Sequence, residues 1–112
     1  MADRKTKETE LTPGEAVTLF EKAAKENPND AQAQFNLGSA QYAAGHLDAA
    51  LDSFLNAARL SPALDHAHYY LGVLYAKRGD PGKARDEFNQ VIQGNANVLL
   101  KNQARIQLNA LR

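Results

Sequence analysis

The residues of this chain best able to do chemistry are three histidines, His46, His66 and His68. The run Asp65-His66-Ala67-His68 could suggest a metal site, because imidazole and carboxylate groups are common ligands. In a helix, however, residues two apart diverge by about 200°, whereas a helical metal pair has i, i+4 spacing. We therefore predict no metal site, and we interpret the run as a helix start with two polar residues at a helix interface.

No other pattern carries a recognisable catalytic group. The chain has no cysteine, which excludes thiol nucleophiles, thiolate zinc sites and disulfides. It also lacks a glycine-rich phosphate loop and a nucleophile elbow. We therefore expect no enzymatic activity and no cofactor. An enzyme or enzyme subunit is the weakest of three functional hypotheses, to be discarded if no bound cofactor or metal is found.

Charge and hydropathy do not favour nucleic acid or membranes as partners. Thirteen basic side chains balance thirteen acidic ones, so no global field attracts a polyanion. The longest apolar runs, such as residues 98–100, are far shorter than the roughly 20 residues that span a bilayer. The first ten residues are polar and do not resemble a secretory signal. We expect a cytoplasmic protein.

The strongest pattern in the sequence is a repeat of 34 residues. Seven residues recur at this offset: Ala33, Leu37, Gly38, Gly45, Ala50, Asp52 and Phe54 return as Ala67, Leu71, Gly72, Gly79, Ala84, Asp86 and Phe88. The segment from Ala16 to Pro28 matches the segment from Ala50 to Pro62 at the same offset. A fixed period of this length identifies a repeat architecture, with two full copies and a preceding half copy.

The repeated glycines have two different physical roles. Gly38 and Gly72 fall within helical patterns, where glycine costs up to about 1 kcal/mol and is retained when another helix must approach closely. Gly45 and Gly79 follow helical patterns and precede new ones, as expected for a left-handed residue after a helix C-cap. The sequence therefore predicts closely paired helices joined by tight turns.

The repeated alanine and phenylalanine residues predict the second helix of each unit. Ala50 and Phe54, like Ala84 and Phe88, have the i, i+4 spacing of one buried stripe. Pro62 follows the first of these helices, where proline ends a helix without breaking it. Each unit is therefore a helix, a turn and a second helix.

This spacing resembles the tetratricopeptide repeat, a 34-residue helix–turn–helix unit, over nearly the whole chain after residue 12. The residues that carry the resemblance are Leu37, Gly38, Gly45, Ala50, Phe54 and Pro62, and the first five recur 34 residues later. Gln34 and His68 replace the aromatic residue that the family usually has there, and Pro81 replaces a large residue. The resemblance implies an all-α, right-handed superhelical solenoid.

Six helices are predicted. They lie at about residues 13–26, 31–44, 47–60, 65–78, 81–93 and 98–111, and the first begins with a capping box at Thr12 and Glu15. The predicted divisions are a flexible polar arm at 1–12 and one domain at 13–112, made of a half repeat 13–30, repeats 31–64 and 65–98, and a capping helix 99–112. The last helix places Leu100, Ala104, Leu108 and Leu111 on one stripe, which predicts a polar-faced cap.

In this family the first helix of each repeat lines a concave groove. The resemblance therefore implies a protein-interaction module of scaffold or co-chaperone-like type that binds a peptide segment or helix of a partner protein. The matching positions are Gln32, Phe35, Asn36, Ser39, Tyr42, His66, Tyr69, Tyr70, Val73 and Lys77, and the 34-residue period adds Gln103 and Gln107. In the competing interpretation, these aromatic residues only complete the packing between helices.

One specific ligand class can be tested against the resemblance. Tetratricopeptide domains that clamp the acidic C-termini of heat-shock chaperones use two cations from the first helix of their third repeat. His66 and Tyr70 stand at those places if the half repeat is counted first, and of the other clamp residues only Asn36 matches. The sequence argues against such a two-carboxylate clamp.

A homodimer is the alternative function. The first predicted helix carries Val17 and Leu19 outside its Ala16, Phe20 and Ala23 stripe. It also lacks the preceding helix of a complete unit, so apolar area is expected to remain uncovered there. That edge is where a second copy would bind.

Overall fold

The computed structural model describes residues 10–111, which form six α-helices and no strand. The helices are α1 Pro13–Glu26, α2 Ala31–Ala43, α3 Leu47–Leu60, α4 Asp65–Lys77, α5 Pro81–Gln93 and α6 Val98–Ala110. The predicted helices are confirmed, each end to within one residue. The arm predicted for residues 1–12 falls outside the described part of the chain up to residue 9, and residue 112 also lies outside it.

Local side-chain contacts begin the helices where the sequence indicated. The Glu15 backbone N–H donates to Thr12 Oγ1 at 3.2 Å, and the Thr12 N–H donates to Glu15 Oε1 at 3.1 Å. This confirms the capping box. At the start of α5, Asp80 Oδ1 accepts the Lys83 N–H at 3.2 Å while Pro81 occupies the first turn, where its missing N–H costs nothing.

Two glycines make the turns within the repeats. Gly45 has φ +83° and Gly79 has φ +81°, the left-handed conformation that side-chain-bearing residues rarely adopt. They follow α2 and α4 by two residues and reverse the chain into α3 and α5. The predicted turn positions are confirmed.

Each helix packs against the next helix in the chain, and α4 also touches α6. The first helices α4 and α6 therefore lie side by side, and the molecule is elongated, at 46 × 33 × 27 Å. Within residues 10–111, no helix is long and apolar enough to cross a bilayer.

The hydrophobic core has one cluster in each complete repeat, around residues that recur in the sequence. Phe54 and Phe88 are fully buried in two successive clusters. A Cβ atom on Gly38 would lie 3.0 Å from the Phe54 ring, and one on Gly72 would lie 2.6 Å from the Phe88 ring. The predicted close approach is thus confirmed as contact between a glycine and a buried aromatic ring.

The first helix differs from the prediction in one residue. Val17 is buried at 8% exposure, because α1 packs on α2, so its expected exposure is wrong. Leu19 is 51% exposed, and Phe20 is only half-buried, whereas its repeat counterpart Phe54 is fully buried. Apolar area therefore does remain on α1, at a different part of its surface.

The last helix is also less polar than predicted. Leu100 and Ala104 are buried and Leu108 is half-buried, which confirms the apolar stripe. The exposed side, however, carries three large apolar residues. These are Val98 at 72%, Leu99 at 69% and Ile106 at 67% exposure. The expectation of a polar outer face is wrong, because helical periodicity fixes which residues share a face but not which face is covered.

Candidate peptide-binding surface

Four aromatic residues predicted for the groove lie together on α2 and α4. Phe35, Tyr42, Tyr69 and Tyr70 are all half-buried. The Tyr70 ring centroid lies 6.1 Å from Phe35, 5.7 Å from Tyr42 and 5.5 Å from Tyr69. We call these four residues the aromatic wall.

The core holds the aromatic wall in place. The Tyr70 ring stacks on the Phe54 ring, with centroids 5.2 Å apart and an interplanar angle of 12°. The Phe35 ring centroid lies 5.4 Å from that of Phe54. The ring centroids of Tyr69 and Phe88 lie 5.9 Å apart. The wall residues thus take part in packing and also keep exposed edges, so a ligand would meet rings whose orientation is already fixed.

Polar groups surround the wall. Gln32, exposed on α2, donates through Nε2 to Asn36 Oδ1 at 2.9 Å. The exposed His66 ring lies edge-on to Phe35 at 6.5 Å, and Lys77 is exposed at the end of α4. Ser39 and Val73 are half-buried between these residues along α2 and α4.

The 34-residue period does not extend to α6. The N-cap Asn97 lies 33 residues after the N-cap Leu64, and the buried Leu100 and Ala104 correspond to Ala67 and Leu71 at the same offset. Gln103 and Gln107 therefore take the positions of Tyr70 and Leu74, not those of Tyr69 and Val73.

With this shift, Leu99 and Ile106 occupy the positions of His66 and Val73 on the inner side. Reasoning from the sequence missed both residues. The signal that could have found them is Asn97, whose side chain accepts the Leu100 N–H at 2.8 Å and starts the helix one residue early. We use the name inner face for the groove positions of α2, α4 and α6 in this corrected register.

His68 is a structural residue that joins three segments. Its Nδ1 lies 2.7 Å from Glu87 Oε1 on α5, and its Nε2 lies 2.7 Å from the Pro62 carbonyl oxygen. Both partners are acceptors, so both bonds form together only when the ring carries two protons. The bond to Glu87, then the Pro62 carbonyl and nearby negative charge, raises the pKa of His68 despite its burial. Between residues 10 and 111, no three potential ligands gather as a metal site would require.

Comparison with known families identifies the repeat. Residues 13–65 and residues 66–97 each match a family model described as the tetratricopeptide repeat. No curated protein sequence matches the chain.

Several solved structures share the fold. The type III secretion translocator chaperone SycD of Yersinia enterocolitica superposes with a TM-score of 0.83 at 18% identity, over 88% of this chain and 70% of that chain. PcrH, in complex with the chaperone-binding region of PopD, gives 0.81 at 20%, over 88% and 77%. YrrB, described as a TPR protein with an unusual peptide-binding site, gives 0.75 at 29%, over 84% of this chain and 48% of that chain. The predicted all-α repeat solenoid is confirmed.

Proposed function

The chain belongs to the tetratricopeptide repeat family, and from this premise we propose that it binds a peptide segment or helix of a partner protein on its inner face. The observation that carries the proposal is the aromatic wall. Its rings are fixed by Phe54 and Phe88, yet they remain only half-buried. A ligand would gain aromatic contact without a large ordering cost in the protein.

The surroundings of the wall suit the main chain of a peptide. Gln32, Asn36 and His66 offer amide and imidazole groups at its edge, which can pair with backbone N–H and C=O groups. The face is short, so we expect an affinity on the order of micromolar. It carries few charges, and the binding should therefore depend only weakly on salt.

Proteins with the same fold support this proposal. SycD has been solved with a peptide of the translocator YopD, and PcrH with the chaperone-binding region of PopD. By analogy, we propose a scaffold or co-chaperone-like role in the cytoplasm, without a cofactor or catalytic activity.

A peptide selected from a displayed random library can test this function. The titration compares the wild type with Phe35→Ala and Tyr69→Ala, and with Gln90→Ala on the exposed side of α5 as the matched control. The wall variants should weaken binding about tenfold or more, and the control should not. Circular dichroism verifies that each variant is folded. Equal affinity of folded wall variants and control would place the ligand on another surface.

Self-association through α1 is the second candidate function. Leu19 is 51% exposed and Phe20 is only half-buried, and in the described chain no helix precedes α1 to cover them. A second copy could cover this edge. Light scattering across a concentration series should then show a dimer that Leu19→Asp abolishes. A monomer mass that persists at high concentration removes this candidate.

A further inference from the structure

The inner face continues beyond the aromatic wall into exposed aliphatic residues on α6. Leu99 and Ile106 are 69% and 67% exposed. They are seven residues apart and so share one side of the helix, about 10.5 Å from each other along its axis. Leucine and isoleucine are costly to leave in water, so this pair requires an explanation that the aromatic wall does not provide.

A missing neighbouring helix does not explain the exposure of Leu99. Its counterpart His66 is exposed even though α4 is packed against both α5 and α6. The position is therefore open to solvent even in a complete unit. Val98 and Ile106 differ from Leu99, because their counterparts Asp65 and Val73 are half-buried in the complete unit, so the end of the stack accounts for part of the exposure of both.

Val73 extends this surface onto α4. It is half-buried and packs on the core cluster that contains Leu100 and Ala104, so α4 and α6 meet beside it. We call Val73, Leu99 and Ile106 the aliphatic patch. It spans two neighbouring helices at one end of the groove.

The charge around the patch has one sign. Lys77 lies one turn after Val73 on α4 and is exposed. It forms no ion pair with any residue between 10 and 111. Lys77 is also the one Lys, Arg, Asp or Glu on the inner face, in a chain that has thirteen acidic side chains. An apolar surface bordered by a lone cation favours an apolar segment that carries a carboxylate.

We propose that this end of the groove binds an extended segment with two aliphatic side chains three residues apart and one acidic group. The inference rests on the proposed function and specifies its ligand. In a polyproline II segment, side chains three residues apart lie on the same side of the chain and about 9 Å from each other, close to the roughly 10.5 Å between Leu99 and Ile106 along the helix axis. In a β-strand they would point to opposite sides. Lys77 lies one helical turn beyond Val73, the counterpart of Ile106 on α4, so the carboxylate that pairs with it stands about two residues further along the ligand.

The test begins by panning a random dodecapeptide phage library on the wild-type protein. The sequences selected should be enriched in two aliphatic residues at i, i+3 with an aspartate or glutamate about two residues away, in either chain direction. The strongest of these peptides then serves as the probe in fluorescence anisotropy titrations against purified variants.

The variants separate the patch from its surroundings. Leu99→Asp and Ile106→Asp should each weaken the probe about tenfold or more, because they put a charge under an apolar side chain. Lys77→Gln should weaken it about threefold to tenfold. Val98→Asp is the matched control, equally exposed on the same helix, and should leave the affinity within about twofold.

The outcomes distinguish this inference from the proposed function. Binding that is lost with Phe35→Ala but insensitive to Leu99→Asp and Ile106→Asp overturns the inference and leaves the inner-face function standing. Selected peptides without the aliphatic and acidic pattern also overturn it. Failure to select any peptide overturns both the inference and the proposed function. Binding that is unchanged in the wall variants and in the patch variants also overturns both.

Discussion

The two complete repeats, residues 31–64 and 65–98, have the same helical framework but different polar contacts. In both, a glycine in the first helix lies against a fully buried phenylalanine of the second. The contact is tighter in the second repeat, where a Cβ atom on Gly72 would lie 2.6 Å from the Phe88 ring. In the first repeat, a Cβ atom on Gly38 would lie 3.0 Å from the Phe54 ring. Helix spacing is thus set by the pair of small and aromatic residues that the repeats share.

The polar contacts between the same helices are not shared. In the first repeat, Ser53 Oγ donates to Gln41 Oε1 at 2.6 Å, buried between α2 and α3. The equivalent residues in the second repeat are Tyr75 and Glu87, and Glu87 instead pairs with His68. The polar contact between the helices is thus buried in the first repeat and half-buried in the second. Among the described residues, no buried side-chain polar atom lacks a partner.

The position that usually holds an aromatic residue also differs. In the second repeat it is His68, which forms hydrogen bonds with Glu87 and with the Pro62 carbonyl oxygen. In the first repeat it is Gln34, which lines an open cleft of about 290 Å³ between α1 and α2, together with Ala24 and Leu37. Polar substitution at this position therefore has no single structural consequence. The outcome depends on whether a partner such as Glu87 faces it.

The largest predicted difference between the repeats is in their glycines. Gly72→Ala should lower the free energy of unfolding by about 1–3 kcal/mol, because the buried Phe88 ring must shift. Gly38→Ala should cost less than about 1 kcal/mol, since a shift of a few tenths of an ångström suffices and alanine favours the helix. Urea unfolding measures both values.

Gly82→Ala is the control for the glycine comparison. Gly82 lies in the first turn of α5, where a Cβ atom would be no closer than 3.8 Å to any neighbour outside its own helix backbone. Alanine should be neutral or stabilising there by up to about 1 kcal/mol. If Gly72→Ala were as stable as Gly82→Ala, the tight contact with Phe88 would not be the reason for the glycine.

The next largest effect should come from the buried contact of the first repeat. Ser53→Ala leaves Gln41 Oε1 without its donor in a site where Gln41 is only 7% exposed. The expected loss is about 1–2 kcal/mol, measured as a lower thermal midpoint. Adding Gln41→Leu should recover much of the loss, because no unpaired acceptor then remains. A double variant no more stable than Ser53→Ala would contradict this account.

The smallest predicted effect is the pH dependence of the second-repeat contact. Burial opposes the charged imidazole, but the bond to Glu87 raises the pKa of His68 above its ordinary value of 6.5. The stabilisation is therefore present below about pH 6.5 and is lost as pH rises through the higher pKa of the folded state. Glu87→Gln should cost about 0.5–1 kcal/mol at pH 6 and less at pH 9.

The comparison with Glu87→Gln uses thermal unfolding of both proteins at the two pH values. The matched control is Glu21→Gln, an exposed carboxylate on α1, which should show no such pH dependence. A cost for Glu87→Gln that is equal at pH 6 and pH 9 would mean that the charged form of His68 does not matter for the contact.

Most of the fold could be predicted because its signals are local and repeated. Caps such as Thr12 and Asp80, and turn glycines such as Gly45, act within a few residues of the chain. The residues of the aromatic wall were assigned from the resemblance to the tetratricopeptide repeat, which places them on the first helices of the two complete units. The α6 end of the surface was not found, because the N-cap Asn97 follows the N-cap Leu64 by one residue fewer than the 34-residue period. A shift of one residue turns a helix face by about 100°.

The sequence alone determined the number of helices, their caps and turns, and the close helix pairing at Gly38 and Gly72; the structure identified Phe54 and Phe88 as the residues that these glycines contact. Only the tertiary structure decided which apolar residues stay exposed. Val17 is buried and Leu19 exposed because α2 covers one side of α1. Leu99 and Ile106 are exposed because no helix within residues 10–111 covers that side of α6. Periodicity assigns residues to faces of a helix, whereas burial depends on which faces other helices cover.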